Sequence, residues 1–321
     1  MNFTKKKTIW TIVIALVLCL FFAGRYYWNL GNKGRGPLMF LPYVGYQGQI
    51  GDSIYETEQL PFEVENQEQT IRGTIFTAKG HLQRRGQRVL IYTHSFNCPA
   101  SALFFKANAL AEAGLITVTF DCRGGSSKSQ SDGRMTDMTV DTEVDDLCHV
   151  LDYVRQQSWA DSLHIYLMGE SQGGLVTALT AAKRQQDVAA AILCYPALHE
   201  QDAAREHFKT KADIPDSIDV AGGMTGRRFW EYVYNLDIMG NITRYEGPVL
   251  ILHGTKDQMV DYHYSVRANE QYRNSTLVLI SEAGHGFGGM DAETSLRTMY
   301  QFIMTQPKII PQYEETTDLT L

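Results

Sequence analysis

GESQGG, residues 169–174, follows the apolar run LHIYLM and opens the helix-like stretch LVTALTAAKRQQ. A connector between a buried strand and a helix needs one glycine at most, and it needs no serine. Gly-x-Ser-x-Gly at such a step makes a strained turn that exposes the serine oxygen. The helix behind it supplies amide donors and a positive dipole end. The pattern marks Ser171 as a nucleophile if the rest of the chain supplies a base and an acid to activate it.

Working outward from the turn, short apolar runs alternate with helix-length periodic stretches. RVLIYTHS, LITVTFD, LHIYLM, AAAILCYPA, PVLILHG and TLVLISEAGH read as buried strands. ASALFFKANALAEAG is a helix ended by Gly114. VDTEVDDLCHVLDYVRQQ places Val144, Leu147, Cys148, Leu151 and Val154 on one helical face. This alternation predicts an α/β fold with a mostly parallel central sheet covered by helices on both faces. Ahead of it, FEVENQEQTIRGTIFTA alternates apolar and polar residues and predicts an antiparallel strand pair. The stretch of about fifty residues between Pro196 and Pro248 carries no strong strand; a structureless loop of that length is uncommon, so residues 197–247 are expected to form a cap over the strand ends.

On a sheet of this kind the order along the chain is serine, then acid, then histidine. PVLILHG-Thr255-Lys256-Asp257 places Asp257 just past one strand, and TLVLISEAG-His285 places His285 past the last. Asp261 is a rival acid, and Asp257 could instead cap the helix that follows. His253 and His94 read as structural. Two backbone amides complete the expected site as an oxyanion hole: that of Gln172, and that of Phe96 in the loop THSFNCP, with Ser95 as the rival for the second.

From about residue 60 to 306 the chain resembles the α/β-hydrolase superfamily, and within it the bacterial cinnamoyl (feruloyl) esterases and their relatives. The matching pieces are THSF in the oxyanion loop, FDCRGGSSKSQSDG after the next strand, GESQGG, HGTKDQMV at the acid turn and AGHGF at the base. A cap of about fifty residues carrying IPDSIDVAGG and GRRFW is also similar. Ser95 replaces the customary glycine of the oxyanion loop, and RGGS replaces the looser G-x-G-x-S. The resemblance implies an α/β-hydrolase fold and a serine carboxylesterase acting on small acyl esters, aromatic acyl groups among them. A peptidase or amidase of the same fold and a non-catalytic surface binding module are the alternatives. No metal or organic cofactor is implied.

Charge excludes one class of partner. Residues 1–35 hold six basic side chains and no acid, so the other 23 basic and 36 acidic residues leave the body at about −13. Nucleic acid binding needs a basic face, and this body has the opposite balance. Lys5, Lys6 and Lys7 precede the uncharged run TIWTIVIALVLCLFFAG, and Arg25-Tyr26-Tyr27-Trp28 follow it. Residues 1–28 therefore read as a signal anchor spanning the membrane once, with the N-terminus cytoplasmic and the catalytic body outside. A cleaved signal peptide and a secreted body are the competing reading. Residues 29–52 read as a tether, and 53–321 as the hydrolase domain. Cys98, Cys122, Cys148 and Cys194 are irregularly spaced without a CxxC pair and read as small buried hydrophobes.

Overall fold

The computed structural model describes residues 50–306 apart from 52, 53 and 67. The chain divides into two units, Met1–Val44 and Gly45–Leu321, and every described residue lies in the second. The expected anchor at residues 1–28 lies outside the described residues. Among those described, no helix is long and apolar enough to cross a membrane.

The alternating segment forms the antiparallel pair β1 (Thr57–Asn66) and β2 (Gln69–Ala78), as its period of two requires. Six further strands complete one sheet: β3 (Gln87–Thr93), β4 (Ile116–Phe120), β5 (Ala160–Glu170), β6 (Ala190–Cys194), β9 (Val249–Gly254) and β10 (Ser275–Ile280). Their order is β1-β2-β4-β3-β5-β6-β9-β10, and every pair from β4 to β10 is parallel. The apolar runs of β4, β6 and β9 are buried on both faces, as parallel strands under helices must be, whereas β10 at the edge is only partly buried.

Helices α1 (Phe104–Glu112), α2 (Val140–Arg155), α3 (Gln172–Lys183), α7 (His263–Gln271) and α8 (Gly289–Thr305) connect or follow these strands. Between β2 residues the two sides of the sheet separate cleanly. Ile71 and Ile75 join the large core shared with α2 and α3, whereas Phe76 packs with Ala107 and Ala111 of α1. α2 begins on Thr139, whose hydroxyl accepts from the Thr142 amide at 3.1 Å while the Thr142 hydroxyl accepts from the Thr139 amide.

The segment between β6 and β9 is not structureless. It holds α4 (Glu200–His207), a hairpin of β7 (Ser217–Val220) and β8 (Gly223–Gly226), α5 (Arg227–Asn235) and α6 (Ile238–Ile242). The hairpin is an addition to the sequence expectation. Its strands are four residues each, polar, and broken by glycines, so they leave no periodic signal. The hairpin reaches the loop after β3, where Asn97 Nδ2 donates to the Ala221 carbonyl at 3.2 Å. Trp230 packs on Phe208 and Phe229 with ring centroids 5.5 and 5.4 Å apart, and Phe229 joins this part of the cap to the large core.

Strand order reverses at β3: the chain moves outward to β4 on one side, then returns to β5 on the other. Where successive connections diverge in this way, a crevice opens at the carboxyl ends of the two strands. The loop after β3 and the turn after β5 are the two that face it.

Candidate active site

The turn after β5 carries Ser171 at φ 54 and ψ −120, a conformation that side-chain-bearing residues rarely adopt. Its neighbours make it possible. A Cβ on Gly169 would stand 2.0 Å from the Gly173 carbonyl oxygen, and a Cβ on Gly173 would stand 2.3 Å from that of His94. The Ser171 amide donates to the Cys194 carbonyl at 2.9 Å, and its carbonyl accepts from Gly174 and Ala197, both at 2.9 Å. The strained turn is thereby pinned to β6 and to the first residues of the cap.

Sequence-predicted residues from three strand ends meet here. Ser171 Oγ donates to His285 Nε2 at 2.9 Å, and His285 Nδ1 donates to Asp257 Oδ2 at 2.7 Å. The Asp257 side chain is fully buried and that of His285 is 9% exposed, so water is kept from the bond between them. Asp257 Oδ1 accepts the amides of Met259 at 2.8 Å and Val260 at 3.0 Å. Burial pushes the Asp257 carboxyl up, but hydrogen bonds from His253 and His285 outweigh it and hold the group well below the carboxylate range. Asp261, the rival acid, pairs instead with exposed His263 at 2.7 Å.

His253 belongs to this site, although the sequence reads it as structural. Its Nε2 lies 3.1 Å from Asp257 Oδ2, and its Nδ1 lies 2.7 Å from Ser265 Oγ. The Ser265 hydroxyl donates to Nδ1, which leaves the Nε2 proton for the carboxylate. The only sequence signal is the four-residue spacing from His253 to Asp257 across a turn.

The loop after β3 faces Ser171. As the first amide of α3, Gln172 N–H has no intrahelical acceptor. Among the described residues, no backbone carbonyl accepts from Phe96 N–H either. The loop is held by its flanks: Asn97 N–H donates to the Gly125 carbonyl at 3.0 Å, and Ser95 Oγ to the Glu170 carbonyl at 3.3 Å. His94 supports it from below. Its Nδ1 donates to the Ser95 carbonyl at 2.9 Å and its Nε2 accepts the Cys122 amide at 3.0 Å, so the ring is neutral and burial lowers its pKa. The hydroxyl at Ser95, where a glycine is customary, thus ties the loop to the nucleophile turn.

Two buried carboxyls flank the turn. Glu143 of α2 accepts the Gln172 side-chain amide at 2.6 Å, and burial drives its pKa well above the usual value. Glu170 pairs with Lys106 and accepts the Tyr92 hydroxyl. Burial raises its pKa, but the Lys106 charge and its hydrogen bonds overcome this and keep it ionised. Among the described residues no group of three His, Cys, Asp or Glu side chains could hold a metal ion, and the four described cysteines are free thiols.

A buried carboxylate, an imidazole and a hydroxyl in line can perform acyl transfer. The family model of the prolyl oligopeptidase family matches residues 101–308, which span the serine, acid and histidine. The chain belongs to this family. No curated protein matches it. Among solved structures it is similar to Est1E from Butyrivibrio proteoclasticus with ferulic acid bound, at 25% identity and a TM-score of 0.70 over 76% of this chain and 98% of that one. Two others share the fold at lower identity. The α/β hydrolase GrgF from Penicillium sp. sh18 is 19% identical, with a TM-score of 0.64 over 78% of this chain and 99% of that one. The Pyrococcus furiosus esterase Pf2001 is 16% identical, with a TM-score of 0.58 over 80% and 99%. This member of the prolyl oligopeptidase family is therefore an α/β-hydrolase enzyme of the serine hydrolase type, resembling feruloyl esterases.

Proposed function

We propose that the protein is a carboxylesterase that cleaves small acyl esters through an acyl-enzyme, with Ser171 as nucleophile, His285 as base and Asp257 as the orienting acid. The observation that carries this reading is the unbroken hydrogen-bonded line Ser171–His285–Asp257, at 2.9 and 2.7 Å. His285 Nε2 takes the hydroxyl proton as Ser171 Oγ attacks the ester carbonyl, and Asp257 fixes the tautomer and stabilises the imidazolium. The amides of Gln172 and Phe96 hold the tetrahedral oxyanion, each contributing about 3–4 kcal/mol in comparable sites. His285 then protonates the leaving alcohol, and water, activated by the same imidazole, releases the acid.

The test compares wild type with Ser171→Ala on 4-nitrophenyl acetate, 4-nitrophenyl butyrate and methyl ferulate. Turnover should fall by about four to six orders of magnitude in the variant. Equal turnover would overturn the assignment. The likeness to a ferulic-acid-bound structure favours an aromatic acyl group, which the ferulate-to-butyrate ratio measures directly. The family match favours a second reading, an amidase or peptidase. Cleavage of an aminoacyl anilide in preference to the esters would decide for it. The body works outside the membrane, held there by residues 8–24; the three preceding lysines support that orientation.

A further inference from the structure

Tyr195, the residue after β6, has φ 38, in a region that a bulky aromatic rarely enters. Such an outlier persists only where the surroundings over-determine it. Here they do. The Tyr195 amide donates to the Leu252 carbonyl at 2.6 Å, fixing the backbone against β9. The ring is 2% exposed and stands 4.7 Å from the His285 imidazole at 63°, and 4.9 Å from Phe287 at 89°. Its hydroxyl is near enough to the carboxylate of Glu170, the residue that precedes Ser171, for the two to interact electrostatically. That carboxylate is clamped in turn by Lys106 and Tyr92, with the Glu170 side chain 9% and the Lys106 side chain 16% exposed.

We propose that Tyr195, its buried ring packed edge-on against the imidazole, is a positioning residue that holds His285 in line with Ser171. The inference rests on His285 acting as the base. The hydrogen bond from Nδ1 to Asp257 fixes one end of the imidazole but leaves it free to swing about that axis. A ring packed against the imidazole removes this freedom. The ring is itself fixed by the backbone bond of Tyr195 to β9 and by its packing on Phe287.

The full-length chain is tested as wild type, Ser171→Ala, Tyr195→Phe and Tyr195→Leu, on 4-nitrophenyl acetate and by the rate of fluorophosphonate labelling. Loss of the ring in Tyr195→Leu should lower kcat and the labelling rate by about 10- to 100-fold, with KM within about twofold of wild type. Tyr195→Phe keeps the ring and should stay within about twofold of wild type. A Tyr195→Leu variant as fast as wild type, or a loss carried by KM, would overturn the inference. If the Leu variant does not fold, Tyr195→Asn, which suits a positive φ, gives the same readout. A wild type that neither turns over esters nor labels overturns the esterase reading, and this inference with it. An active wild type beside an unimpaired ring-less variant overturns this inference alone.

Discussion

At Asp257 two histidines and two backbone amides converge on one carboxylate, and each does a different part of the work. The amides of Met259 and Val260 neutralise Oδ1, while His253 and His285 share Oδ2. A carboxylate so donated to stays ionised in acid. Its folded-state pKa lies below the unfolded one, so its contribution to stability is present above about pH 4 and is lost as pH falls through the folded value. Replacing His253 with Phe removes one donor and frees the carboxylate to turn. We expect kcat to fall by about tenfold with little change in KM, a loss smaller than that of Asp257→Asn, which costs about four orders of magnitude in a comparable triad. Steady-state kinetics of the two variants would check the ranking; equal losses would mean that His253 has no separate role. This role was not legible in the sequence. The GESQGG turn, the acid and the base each sit at a strand end in the expected order, but what His253 touches depends on how the chain folds back through Val260. Tyr195 and Glu170 were equally silent, because a positive φ and a buried partner leave no mark on residue type.

The elements around the site include a close approach of two backbones and an enclosed carboxyl. α3 can begin against the loop after β3 only because Gly173 has no side chain. In Gly173→Ala the new Cβ would stand 2.3 Å from the His94 carbonyl oxygen, so one of the two backbones must move. The proposed oxyanion donors sit on those two backbones, and a displacement of this kind should cost activity by about 100-fold. Measured kcat within twofold of wild type would show that the two can shift without harm. At the start of α4, Glu200 Oε2 is enclosed without a partner, and burial raises its carboxyl to about 8. The sign follows from that direction. The group contributes full stability below its unfolded pKa near 4, and the contribution is lost as pH rises through about 8. Glu200→Gln carries no such penalty. It should therefore melt above wild type at pH 8, by about 2–4 °C for each kcal/mol relieved, with the difference shrinking towards pH 5. An equal shift at both pH values would refute the buried-charge account. These devices also divide what the sequence shows from what it hides. Continuous apolar runs announce β3 to β6 and β9 because burial on both faces demands them, while β10 at the sheet edge is apolar but only partly buried. The cap hairpin, with SIDV and GMTG strands, is too short and too polar to announce itself.

For the whole molecule, the sheet order explains why the site lies where it does. The connections diverge at β3, so the crevice between the ends of β3 and β5 collects the oxyanion loop and the nucleophile turn, and the later strands β9 and β10 deliver acid and base from one side. The first 35 residues carry a charge pattern opposite to the rest, six basic side chains against an acidic body. Lysines before an uncharged run of this length fix the N-terminus on the cytoplasmic side and send the body across. On that proposal the full-length chain should sediment with membranes and resist extraction by alkaline carbonate, because a spanning helix is held by apolar burial and not by charge. Protease added to intact cells stripped of their wall should digest the body, and added Ser171 labelling reagents that cannot cross a bilayer should still reach it. Release of the chain by carbonate would show a peripheral attachment instead. A chain shortened at its N-terminus and found free in the medium would show that the leading segment is removed after export.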